Sequence, residues 1–294
     1  ADWLVLLLMI AVFTALAVGF KLPMGLAIAL AALAGALAGG QGLALRHLVE
    51  GAFGFFDVIL IIATAMIFMK VLEESGLLDS LVAAILRTFY RRKVALLLTV
   101  MLLLMFPGMI TGSSLAAVLS TGPLIAPVLM KLGLPRLRTA AFVALGSVLG
   151  MIAPPVNILI MIMGAGVDMP YTGLTAPLLL ATVPAAVVIA LGLGLRRIRV
   201  VSEDEMKALL PAVDRPRRGA VLYLPILLVL ALMVLQNLDV PFFPGLGLPA
   251  IFLIGSLTGM VCGRRFNVLR SARAAIAQSV PILSILAGVG MFIQ

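Results

Sequence analysis

From Val94 to Met130 the chain runs without a charged residue, and it does so again from Thr139 to Val167. A soluble domain is about a quarter charged and has no place for two such runs so close together. About 20 apolar residues suffice to cross a bilayer, so the first run is too long for one span. It is interrupted by Pro107-Gly108 and by Thr111-Gly112-Ser113-Ser114. The second is interrupted by Pro154-Pro155. Consecutive prolines remove two backbone donors and push the first of the pair out of the helical region. The halves Thr139–Ala153 and Val156–Val167 are each only ~20 Å long, so neither crosses alone. Across the chain 63% of residues are hydrophobic and 11% charged. That excludes a soluble enzyme, a disordered tail and a coiled coil. An outer-membrane barrel is excluded as well, because its strands would alternate apolar and polar residues. The expected fold class is an all-α polytopic membrane protein, an inverted-repeat transporter with a re-entrant hairpin, or a hairpin plus one associated helix, at 94–130 and a discontinuous helix at 139–167.

The remaining spans follow from bilayer arithmetic. Trp3–Phe20, Leu22–Gly39, Phe55–Met69, Met169–Leu195, Ala220–Gln236 and Leu248–Cys262 each read as one span, and Val280–Gln294 as the start of another. Gln41–Gly54, Leu77–Tyr90 and Phe266–Ser279 carry charges and read as interfacial helices, with those around Arg91 and Arg270 touching anionic lipid. Arg196–Gly219 is the one clearly hydrophilic loop. If it is cytoplasmic, every basic residue of the 21 except Arg46 falls on that side. The positive-inside rule demands such a bias. It places the N-terminus outside and requires Val94–Met130 to enter and leave on one side. The formal charge of +9 therefore sorts by membrane side and implies no nucleic acid.

An internal repeat is present. Leu22-Pro23 opens a span, then an arm with Leu45-Arg46, then a span ending Met66-Ile67-Phe68. Leu248-Pro249, Leu269-Arg270 and Gly290-Met291-Phe292 repeat that order. The first copy starts inside and the second outside, the inverted relation found in many secondary transporters. The expected division is scaffold and arm over 1–93, a transport-domain hairpin and broken helix over 94–167, a span and cytoplasmic loop over 168–219, and the start of the second copy over 220–294. The second copy lacks its hairpin and broken helix, and completing it would take about 125 further residues. We therefore expect the sequence to be part of a larger protein.

The two breaks are the candidate site. Broken backbone inside hydrocarbon is tolerated where it lines a cavity or is buried in protein. Exposed helix ends offer carbonyls to cations and amide N–H groups to anions. Uncharged hard oxygen suits Na⁺. The candidate Na⁺ ligands are Gly112, Ser113, Ser114, Gly150, Pro154 and Asn157, and the candidate substrate contacts are Thr111, Ser113 and Asn157. Between Val94 and Val167 there is no Asp, Glu or His to carry a coupling proton, which favours Na⁺ as the coupling ion. One cysteine, Cys262, and one histidine, His47, leave no set for a metal cluster. Asp57 and His47 read as solvated interfacial side chains. Only scattered acids such as Asp57, Asp79 and Asp168 remain for catalysis, so an enzyme is not expected.

Gly108–Pro127 (GMITGSSLAAVLSTGPLIAP), Gly146–Asn157 (GSVLGMIAPPVN) and the inverted repeat resemble the large membrane subunit of a TRAP (tripartite ATP-independent periplasmic) transporter. Leu22-Pro23-Met24-Gly25 and the Glu74-Ser75-Gly76 turn fit as well. The family's usual Pro-Pro-Ser reads Pro-Pro-Val-Asn here, and Asn after the prolines is similar to the related divalent anion/Na⁺ symporters. The resemblance implies a Na⁺-driven importer of small organic acids, of C4-dicarboxylate or sialic-acid type, in the bacterial inner membrane. It implies two partners, a periplasmic substrate-binding protein and a small membrane subunit, and an elevator motion of residues 94–167. A stand-alone symporter, the permease of an ATP-driven pump and a membrane-embedded enzyme are the alternatives.

Overall fold

Prolines and glycines mark most helix boundaries in the computed structural model, which describes residues 2–43, 45–167, 171–199, 205, 219–237, 245–263 and 268–293. Thirteen α-helices and no strand occur among these residues. Asp168, most of the 196–219 loop and most of the 240–247 turn lie outside them. Among the described residues four helices are long and apolar enough to cross a membrane, or five if one bent pair counts as a span.

The chain divides into two compact units. The first comprises residues 1–64, 159–170 and 273–294. In it α1 (Asp2–Thr14) continues as a π turn over Ala15–Gly19. Thr14 Oγ1 donates to the Ile10 carbonyl at 2.8 Å, and such a back-bonded hydroxyl loosens the helical ladder. α2 (Met24–Ala38) starts after Pro23, and its Gly35 faces the Met9 side chain of α1. α3 (Leu45–Gly54) and α4 (Phe56–Glu74) meet at Phe55 with a bend of 51°. On α3, Arg46 bonds Glu50 at 2.8 Å and His47 lies 3.6 Å from the same carboxylate, both exposed, as an interfacial helix would have them. Asp57 sits in the first turn of α4, where the helix dipole favours an acid.

The second unit comprises residues 65–158 and 171–272. α5 (Leu77–Phe89) is amphipathic, with Leu78, Val82 and Leu86 buried and Asp79 and Arg87 at its ends. α6 (Lys93–Thr111) and α7 (Ser114–Lys131) form the hairpin. By length and composition each arm could cross a membrane. α8 (Arg136–Ile152) ends just before Pro154-Pro155, and α9 (Ile158–Gly166), whose residues from 159 on belong to the first unit, begins after them. α10 (Thr175–Gly194) follows, its Gly194 against Leu97 of α6. α11 (Leu224–Asn237) and α12 (Gly247–Cys262) pack together through Val229 on Gly255, and Phe252 of α12 stacks on Phe68 with centroids 5.9 Å apart. Ser271, in the first turn of α13 (Val268–Ile293), donates to the Glu74 carboxylate.

One expectation is revised here. Residues 268–293 form a single helix that passes through Pro281, where separate interfacial and spanning pieces were expected. Aligning Leu45-Arg46 with Leu269-Arg270 puts Gln278 where the first arm has Gly54, so the second arm lacks the residue that weakens a helix at the bend.

Candidate functional site

Glycine spacing decides how α6 and α8 approach. Gly108 lies on α6, and Gly146 and Gly150 are four apart on α8; small residues so placed let helix backbones touch. A Cβ on Gly108 would lie 2.8 Å from the Gly150 carbonyl carbon, and one on Gly146 3.2 Å from Leu104 Cβ. Residue numbers rise together along the contact, 104 with 146 and 108 with 150, so the two helices run parallel. Both therefore end at the same level.

α6 ends because Gly112 takes a left-handed conformation, φ +62°, and its N–H donates to the Gly108 carbonyl at 2.7 Å. Ser113 then caps α7, its hydroxyl accepting from the Ala116 N–H at 3.3 Å. Thr111 is fully buried, and its hydroxyl donates to the Pro107 carbonyl at 2.7 Å and accepts from the Ser113 N–H at 3.3 Å. Ser114 is the first residue of α7.

α8 ends at Ile152 because neither Pro154 nor Pro155 can donate to the helical ladder, and the peptide between them is cis. Asn157 is buried, and its Nδ2 donates to the Ile152 carbonyl at 2.8 Å, so it satisfies an end carbonyl of α8. The two breaks touch. The Val156 N–H donates to the Met109 carbonyl at 3.1 Å, and a Cβ on Gly112 would meet Val156 O at 3.2 Å and Ile158 Cγ1 at 2.6 Å.

Gly112, Ser113, Thr111, Pro154 and Asn157 are thus gathered at or beside this junction. Gly150 lies earlier on α8, packed on Met105 and Gly108, where its part is the close approach of backbones. Chemically, the junction joins two helix C-termini. Each carries roughly half a negative charge on its last carbonyls, and the N-terminus of α7 begins beside them with the opposite sign. Such an arrangement can hold a cation among carbonyls and an anion among N–H groups without any ionised side chain.

Sequence reasoning missed the residues that join the breaks: Met109, Val156 and Ile158, together with Gly108. The glycines of the two helices were the available signal for Gly108. It also missed Ser147, fully buried on α8, whose hydroxyl has no hydrogen-bond partner among the described residues. A small cleft lies beside the junction, with Phe106, Met109 and Pro155 in its wall. Its lining is wholly apolar and does not suit a carboxylate. Among the described residues no group of His, Cys, Asp and Glu could hold a transition metal.

Comparison with curated proteins gives no match. Comparison with protein families matches residues 7–294 to the family described as "Tripartite ATP-independent periplasmic transporter, DctM component". With a buried break in each of two parallel helices and a match over nearly its whole length, the chain belongs to that family of transporter permeases and is not an enzyme.

Proposed function

We propose that this TRAP permease uses a Na⁺ gradient to import a small organic-acid anion across the bacterial inner membrane. In this reading Na⁺ sits among the oxygens of residues 112–114, 150, 154 and 157. The substrate lies beside it against Thr111, Ser113 and Asn157. The observation that carries the reading is the contact of the two helix C-termini, made through the Val156 N–H to Met109 carbonyl bond of 3.1 Å. Parallel helices that end together pool their carbonyl dipoles, which favours a cation, and uncharged hard oxygen suits Na⁺. The absence of Asp, Glu and His from 94–167 supports Na⁺ over a proton.

The anion, of C4-dicarboxylate or sialic-acid type, is delivered by a periplasmic binding protein, and a small membrane subunit completes the assembly. Residues 94–167 move as the transport domain against a scaffold that includes the first two spans, and 220–294 open the inverted second copy.

Uptake of radiolabelled organic acids into proteoliposomes holding both membrane subunits and the binding protein tests this. Uptake should require an inward Na⁺ gradient and no ATP. Uptake indifferent to Na⁺ and dependent on ATP would support a pump, and Na⁺-driven uptake without any binding protein would support a stand-alone symporter.

A further inference from the structure

Basic residues converge at the end of α7, α8 and α10 farthest from the breaks. The turn between α7 and α8 is fastened to the segment that leaves α10. The Arg199 N–H donates to the Leu132 carbonyl at 3.0 Å, and its guanidinium to the Lys131 carbonyl at 3.5 Å. Arg138 donates to the Leu193 carbonyl at 3.4 Å. Gly133, at φ +101°, lets the turn lie against the Arg197 carbonyl, and Ile198 is buried beneath. These contacts hold Lys131, Arg136, Arg138, Arg196, Arg197 and Arg199 in one patch. Glu205, 3.8 Å from Arg199, is the acid that approaches it among the described residues.

Like charges gathered this way repel one another and draw anions. Arg136 and Arg138 also occupy the first turn of α8, where cations oppose the helix dipole, so helix stability does not explain them. Leu137 stands between them and is 84% exposed, and the neighbouring Met130 and Leu195 are exposed too. Cations alternating with exposed apolar side chains at the end of membrane helices match the boundary where headgroup phosphates meet acyl chains.

We propose that this patch is a binding site for anionic phospholipid, with the cations on the headgroup phosphates and Leu137 among the upper acyl carbons. The site belongs to the helical bundle that carries the hairpin, and it is separate from the junction of the breaks. The lipid holds that bundle to the leaflet on its basic side.

The test uses the full-length transporter, stripped of lipid in detergent and returned to phosphatidylglycerol or phosphatidylcholine, with retained lipid counted by native mass spectrometry. Phosphatidylglycerol should be retained at least tenfold more strongly. The combined variant Lys131→Gln, Arg136→Gln, Arg197→Gln should weaken retention by about a hundredfold, roughly fivefold per cation. Leu137→Gln should weaken it too, since a lipid uses that side chain and a free anion does not. The wild-type comparison of the two lipids stands without any variant. Equal retention of both lipids would overturn the proposal. So would displacement of phosphatidylglycerol by millimolar inorganic phosphate, or full retention by Leu137→Gln.

Discussion

Replacing Gly150 by alanine adds one methyl group where two helix backbones already touch. A Cβ there would lie 2.7 Å from Met105 Cα and 2.8 Å from its carbonyl carbon, and would overlap the carbonyl oxygen. Ordinary carbon contacts sit at about 3.5–4.0 Å, so α6 and α8 must part by roughly 1 Å. The obstructing atoms are main chain and cannot rotate away. Overpacking of this kind costs about 1–3 kcal/mol. The separation also stretches the Val156–Met109 bond, now 3.1 Å; losing it adds about 1 kcal/mol. Less up to about 1 kcal/mol gained in helix propensity, these give about 1–3 kcal/mol, or roughly 3–8 °C in Tm. Gly192→Ala on α10 is the control. It meets nothing within 4 Å and should gain up to about 1 kcal/mol from helix propensity alone. Thermal unfolding in one detergent, with Na⁺-driven uptake measured in parallel, decides the matter. Gly150→Ala should lose both stability and transport while Gly192→Ala loses neither. If the two variants unfold together, the close approach of α6 and α8 is wrong. If Gly150→Ala is destabilised yet transports at the wild-type rate, packing there does not position the breaks.

Gly112→Ala should cost about 1–2 kcal/mol for its left-handed backbone, with more from crowding Ile158, and a double-mutant cycle with Ile158→Ala, itself destabilising because Ile158 is buried, should show a favourable coupling equal to the crowding part alone. Ser147→Ala removes a buried hydroxyl that has no partner among the described residues. It should leave Tm unchanged or raise it, by up to about 1 kcal/mol in stability, and a large loss would mean that the hydroxyl binds water or an ion. Asn157→Asp sets a carboxylate against the Ile152 carbonyl, which now accepts at 2.8 Å, and should lower Tm by about 1–3 kcal/mol in stability; an unchanged Tm would remove Asn157 from its capping role.

What could be read from the sequence was what acts locally. Pro154-Pro155 stops a helix by removing donors, and Gly112-Ser113 pairs a left-handed stop with a helix cap, so both breaks were legible within a few residues. The contact between them was inferred from membrane physics, and its atoms were not foreseen. Val156 and Met109 join through main-chain groups, which leave no mark on residue identity. The packing of Gly150 on Met105 was not foreseen either, because the face a helical glycine presents depends on the partner it meets. The second arm misled for the opposite reason. The charges of 266–279 set that stretch apart from the apolar 280–294, but one helix runs through both and through Pro281, since a proline inside a long apolar helix can be accommodated by its neighbours.

The central claim is that the joined breaks hold Na⁺, and ion-specific stabilisation tests it most directly. A bound ligand raises stability by about 2.7 kcal/mol at a hundred times its Kd. The account predicts that Tm climbs with NaCl above its value in KCl or choline chloride at equal ionic strength, and that Gly112→Ala abolishes the difference. Equal Tm in Na⁺ and K⁺, or a Na⁺-specific rise that survives in Gly112→Ala, would contradict it.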